Sequence, residues 1–167
     1  MGVRSTNPTQ SFIDNFFRSG TDGSGAAPVP AGSVSATGGS AGSGNGITPG
    51  DGYRYHYFTS TGPNPFNVSS GGDIEYLLIA GGGSGADRGN GAGGGGAGGV
   101  LGHGMGLPAS AHQGGSVTVT AQDYTLVVGA GAAGGASETV GSQGTPSTGF
   151  GKTAVGGGGG GQNNATP

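Results

Sequence analysis

The residues that could do chemistry are few, and glycine surrounds most of them. Gly81-Gly82-Gly83-Ser84-Gly85-Ala86 follows an apolar run and fits the G-x-G-x-x-A pattern of a dinucleotide-binding turn. That chemistry needs a helix next, whose N-terminal amides hold the pyrophosphate, whereas residues 87–99 are mostly Gly. No acidic residue stands about 20 positions further on to take a ribose hydroxyl. Gly151-Lys152-Thr153 is like the end of a phosphate-binding loop, but Pro146 holds the place of its first glycine, and Gly156–Gly161 follows where a helix should. The histidines His56, His103 and His112 lack H-x-H spacing and an adjacent carboxylate cluster, while a metal centre needs three or four ligands together. They read as solvated loop residues. Asp73 and Glu75, two apart on one strand face, read as solvent-facing rather than as a catalytic pair. There is no Cys, and no serine sits in a nucleophile elbow. The sequence gives no catalytic residue, no metal site and no cofactor, and the protein is not expected to be an enzyme.

The elements that hold these residues alternate between apolar strands and glycine. Tyr53, Tyr55 and Tyr57 interleave with Arg54, His56 and Phe58, a period-2 strand pattern. Asp73–Ala80 is a continuous run that reads as one strand buried on both faces. Val117 and Val119 alternate with Thr118 and Thr120, and Ala121-Gln122-Asp123 turns the chain into the strand Tyr124–Val128. Lys152–Val155 reads as a last short strand. Three of these strands run straight into glycine, at Gly81, Gly129 and Gly156, which makes a loose internal repeat rather than a set of linkers.

Of 167 residues, 46 are Gly, against an average usage of about 7%. Only 8% are charged, and the formal net charge is −3. Five scattered Lys and Arg cannot make the phosphate contacts of a nucleic-acid-binding protein. Collagen is excluded because the glycines fall in irregular blocks. No apolar run is long enough for a transmembrane helix, and no apolar leader segment opens the chain. The apolar side chains are too sparse for an ordinary monomeric core. Two readings stay open for the glycine blocks. They are solvated irregular loops, or they form extended threefold helices of the polyproline type that bond laterally through their backbone groups, with help from other subunits.

The N-terminal segment differs from the rest. Asn7 suits an N-cap, Pro8 the first helical position and Gln10 a capping box. Phe12, Ile13, Phe16 and Phe17 then share one face of a helix of about eleven residues, too short to be stable alone in water. Arg18 and Gly20 suit its C-terminal end. The Gly/Ser/Ala/Pro/Thr stretch that follows has the composition of a flexible spacer. The expected division is therefore a docking helix over 1–20, a linker over 21–50 and a glycine-rich β body over 51–167. The aromatic face either packs back on its own chain and sister subunits or docks into a larger assembly.

Four motifs follow one another in order: Asp73-Ile-Glu-Tyr-Leu-Leu-Ile-Ala-Gly-Gly-Gly-Ser-Gly, Gly93-Gly-Gly-Gly-Ala-Gly-Gly-Val-Leu, Tyr124-Thr-Leu-Val-Val-Gly-Ala-Gly and Thr153-Ala-Val-Gly-Gly-Gly-Gly-Gly-Gly. Before them stand Tyr55-His-Tyr-Phe-Thr-Ser-Thr-Gly and Phe66-Asn-Val. From Gly52 to Gly161 this succession resembles the glycine-rich domain of tail fibres and other virion appendages of bacterial viruses. The resemblance implies a homo-oligomeric virion structural protein, a trimer, that projects from the particle, meets other virion proteins and touches a host surface receptor. It also leaves room for a body that continues in a longer protein.

If stacked polyglycine helices carry over, the loops Asp87-Arg88-Gly89-Asn90 and His103–Gln113, with His103 and His112 at or near the ends of the second, are the ones placed to face a receptor. The fold class expected is mainly β with glycine-rich irregular or polyglycine-II-like segments, preceded by a short N-terminal α-helix on a flexible linker. The function expected is that of a tail-fibre or fibre-base subunit docked by Phe12, Ile13, Phe16 and Phe17, located on the virion. A capsid decoration or head-fibre protein is the alternative. A carbohydrate-binding module that stacks sugars on Tyr53, Tyr55 and Tyr57 comes third. Neither nucleic-acid partners nor membrane insertion are expected.

Overall fold

A computed structural model describes residues 34–40, 42–49, 52–87, 91–104, 114–135 and 138–162. The expected docking helix, with Phe12, Ile13, Phe16 and Phe17, lies outside them. Among the described residues the structure is mainly β, with no α-helix. A five-stranded antiparallel sheet joins β1 (Ser35–Gly38), β2 (Gly62–Ser70), β7 (Asp123–Val128), β8 (Ser147–Gly149) and β9 (Lys152–Ala154) in that order. Two smaller antiparallel pairs are β3 (Gly72–Ile74) with β6 (Val117–Val119), and β4 (Tyr76–Ile79) with β5 (Val100–His103). β1 falls in the stretch whose composition reads as spacer; Ala36, across from Val68, is small enough to be buried there.

Side-chain alternation decides the core. Val117 and Val119 on β6 point inward and Thr118 outward, so that Val119 is 1% exposed. Phe66 and Val68 on β2 join Leu126, Tyr76, Ala36 and the two valines in one cluster, with Phe58, Ile74, Leu78, Tyr124 and Phe150 packed on its margin. Pro63 and Pro65 are tolerated in β2 because β1 covers only Phe66–Ser70 of it; their missing N–H groups fall on an open edge. The β8–β9 hairpin turns through Phe150 and Gly151, with φ of 54° and 71°, the two-residue loop that matches strand twist. A bulky residue in that left-handed region costs about 1–2 kcal/mol. Ring packing offsets this cost, since Phe150 lies 5.4 Å from Tyr124 and 6.0 Å from Phe66, centroid to centroid.

The run 73–80 is not one strand. It breaks at Glu75 into β3 and β4, which pair with different partners. Nor is it buried on both faces, because Tyr76 and Leu78 turn toward the core while Leu77 and Ile79 are exposed. The apolar run marked a strand but not its surroundings: no second layer covers that face among the described residues.

Candidate functional site

The glycine blocks are ordered, and their order is carried by the backbone. β4, β7 and β9 each continue into an extended strut, over residues 80–87, 129–135 and 155–162, numbered here 1, 3 and 5. Two return struts, 2 over 91–99 and 4 over 139–146, lead back into β5 and β8. The three strand-then-glycine units legible in the sequence are the outward halves of these excursions; the return strands β5 and β8 carry too little apolar pattern to be read.

Strut 1 lies at the centre and bonds to all four others. The amides of Ala80, Gly83 and Ala86 donate to the carbonyls of Gly99, Gly96 and Gly93 on strut 2, at 2.9, 2.9 and 3.0 Å. Those of Gly81, Ser84 and Asp87 donate to Thr145, Ser142 and Thr139 on strut 4, at 3.0, 2.9 and 3.1 Å. The amides of Gly157 and Gly160 on strut 5 donate to Gly81 and Ser84, and that of Ala132 on strut 3 to Gly82. Gly93, Gly96 and Gly99 bond in turn to Gly161, Gly158 and Val155. Every third residue meets the same neighbour, which is the period of a threefold extended helix. Of the two readings open for the glycine blocks, lateral backbone bonding is the one found.

Close approach explains why these residues are glycine. A Cβ on Gly83, Gly95, Gly141, Gly144 or Gly157 would overlap a carbonyl oxygen of the neighbouring strut, whereas one on Gly94, Gly158 or Gly161 would meet nothing within 4 Å. Side chains appear at the outward thirds: Ala97 is three residues from Gly94, and Val155 three from Gly158, and both are exposed. Two buried serines tie the lattice to the sheet and to itself. The Ser147 hydroxyl donates to the Ile79 carbonyl at 2.7 Å and accepts from the Gly129 amide at 2.8 Å. Ser84 Oγ accepts from the Ser142 amide at 2.9 Å.

The phosphate-loop look-alikes are used up by this architecture. Gly81–Ala86 is the central strut, and Gly151 is the hairpin turn.

The loop residues singled out in the sequence part company. Asp87 is exposed at the far end of strut 1, where its amide bonds to Thr139 and its carbonyl accepts from Gln162 Nε2 at 3.3 Å. His103 ends β5 opposite Tyr76, at the sheet end of the same excursion. About 3.2 Å per residue of extended chain separates Tyr76 from Asp87 by a path of roughly 35 Å. Arg88, Asn90 and His112 lie outside the described residues. The histidine reading needs correction: His56 and His103 are half-buried. His56 Nδ1 is 2.8 Å from the Gly38 carbonyl, with its ring edge on Phe66. Among the described residues, no three His, Cys, Asp or Glu come together in a metal-binding group.

A second surface lies at the sheet end. His56 and Phe58 alternate inward, so Tyr53, Tyr55 and Tyr57 alternate outward in one row. Ring centroids are 6.2 Å apart for Tyr53–Tyr55 and 6.3 Å for Tyr55–Tyr57, the latter pair within 14° of parallel. Tyr53 and Tyr57 are 50% and 47% exposed. A backbone bridge between Ile47 and Tyr55 fixes the segment, with each amide donating to the other's carbonyl at 2.9 Å. The Tyr53 hydroxyl donates to Glu75 Oε1 at 3.2 Å. Glu75 itself lies across Gly104, where a Cβ would overlap its side chain. The row thus runs to the base of the second loop. Asp73, by contrast, accepts from the Thr118 hydroxyl, so the two acids have separate partners.

No curated protein matches this chain, and no solved structure does. A family model described as a glycine-rich domain matches residues 59–167. That span takes in β2 through β9 and all five struts, and by it the chain belongs to the glycine-rich domain family.

Proposed function

We propose that this protein is a non-catalytic structural subunit of a bacterial-virus particle, a tail-fibre or fibre-base protein that projects a glycine lattice outward and contributes to host attachment. The observation that carries the reading is the three-residue periodicity of the strut bonds. A body held by backbone groups places little demand on side chains, so the loops at its far end, around Asp87 and Glu138-Thr139-Val140, are free to vary without loss of fold. That is what a display scaffold needs. The motif order of the sequence supports the same assignment. Phe12, Ile13, Phe16 and Phe17 would dock the N-terminus into the particle, with the Gly/Ser/Ala/Pro-rich stretch after them as tether. Self-association, as a trimer, would cover apolar side chains left exposed on β4, β5 and strut 5.

The test is electron microscopy of purified virions labelled with an antibody against residues 51–167, with and without deletion of residues 1–19. Label on the tail that disappears with the deletion is the expected result. Label on the head would replace the fibre reading by a capsid-decoration role. Absence of label on every particle would overturn both.

A further inference from the structure

We infer that the row Tyr57–Tyr55–Tyr53, ending on Glu75, is a binding strip for an uncharged, extended oligosaccharide. This inference does not depend on the virion reading. Pyranose rings present apolar C–H faces and hydroxyl edges, and they seat on aromatic faces while their hydroxyls find donors and acceptors beside the rings. The row offers both parts of that chemistry. Its rings are spaced by 6.2 and 6.3 Å, on the scale of one pyranose unit, with planes 47° apart for Tyr53–Tyr55 and 14° apart for Tyr55–Tyr57, and the terminal two are half-exposed. Electron-rich ring faces attract the polarised C–H bonds of the sugar. Each tyrosine hydroxyl can donate and accept, and the Glu75 carboxylate accepts.

The surroundings favour a sugar over a protein partner. The rim of the row is polar: the Thr59 hydroxyl donates to Ser40 Oγ at 3.1 Å beside Tyr57, and Glu75 closes the other end. Ile47, opposite Tyr55, is the aliphatic flank. Leu77, Ile79, Val100 and Val155, the side chains a protein contact would want, lie on β4, β5 and strut 5 instead. The charge balance also selects. Arg54 and His56 both flank Gly46, and among the described residues the Glu75 carboxylate, which accepts from the Tyr53 hydroxyl, is the acidic group at the end of the row. A carboxylate at the end of the row disfavours acidic sugars. His56 on Phe66 and Phe58 on Phe66 pin the residues between the tyrosines, and preorganised rings bind with a smaller ordering penalty.

The full-length chain has no Trp and five Tyr, so ring stacking is readable directly as a change in tyrosine fluorescence. The probes are cellohexaose, mannohexaose and isomaltohexaose as neutral chains, with hexagalacturonate as the acidic one. At least one neutral hexasaccharide is expected to bind, and hexagalacturonate to bind at least tenfold more weakly. Tyr57→Ala and Tyr53→Ala should each weaken neutral binding about tenfold, the loss of one stacked ring, while Tyr57→Phe keeps most of it. Unchanged thermal melting of the variants separates this loss from misfolding. Silence with all neutral chains, binding that survives Tyr53→Ala combined with Tyr57→Ala, or preference for the acidic chain would each overturn the inference. So would a fall in oligomer mass caused by Tyr57→Ala alone, which would assign the row to a second copy of the chain. None of these outcomes bears on where the protein sits in a particle.

Discussion

Gly157→Ala and Gly158→Ala are the same chemical change at adjacent positions, and the lattice gives them opposite signs. A Cβ on Gly157 would overlap the Gly96 carbonyl oxygen and stand 2.7 Å from that of Ala97. Struts 2 and 5 would have to separate by several tenths of an ångström. The bonds at risk are Gly96 to Gly158 and Gly99 to Val155, both 2.7 Å, and Gly157 to Gly81 at 2.9 Å. Overpacking costs about 1–3 kcal/mol, and each of the three weakened bonds adds up to about 1 kcal/mol, so the expected loss lies between about 1 and 6 kcal/mol. A Cβ on Gly158 meets nothing within 4 Å, and its φ is not in the left-handed region. There alanine narrows the unfolded ensemble and should stabilise by about 0.4–1 kcal/mol. Urea titration of the full chain reads both changes as shifts in midpoint at unchanged slope. An alanine scan over Gly156–Gly161 extends the test: 161 should behave as 158 does, and 156, 159 and 160 as 157 does. A scan without that period of three, or a Gly157→Ala cost below about 0.5 kcal/mol, the range of an ordinary surface change, would refute the lattice.

Two other perturbations probe the junctions. Ser147→Ala removes the hydroxyl that serves both the Ile79 carbonyl and the Gly129 amide in a buried position; unsatisfied partners should cost about 2–3 kcal/mol, whereas a Tm within error of wild type would show that β8 does not anchor the struts. Burial pushes the Tyr76 hydroxyl above its ordinary pKa. The folded state therefore holds that proton more tightly, and the stability it contributes is intact below about pH 10 and lost as pH rises through the raised value. Tyr76→Phe also gives up the 3.1 Å bond to the Gly115 carbonyl, which should cost about 1 kcal/mol at neutral pH while flattening the alkaline loss; melting curves between about pH 8 and 11 that fall equally in both proteins would assign the loss to other groups.

The residues themselves determined more of this protein than its glycine content suggests. Alternation buried Val117 and Val119 against exposed Thr118, because a strand has one side-chain period whatever its partners. Over residues 53–58 the same pattern appears without a strand, since among the described residues that segment makes only the isolated bridge of Tyr55 to Ile47. The succession of apolar run and glycine block marked where each excursion leaves the sheet. The tertiary structure alone decided the rest. Asp73–Ala80 is continuous in sequence, yet its hydrogen bonds pass from β6 to β5 at Glu75. Ser35–Gly38 has the composition of a tether and becomes an edge strand because β2 offers it an open flank. Gly156–Gly161 is six identical residues, four pressed against neighbouring carbonyls and two facing open space. A residue without a side chain has no pattern to display. Its environment is set by which backbone lies beside it, and that is known only once the struts have bonded.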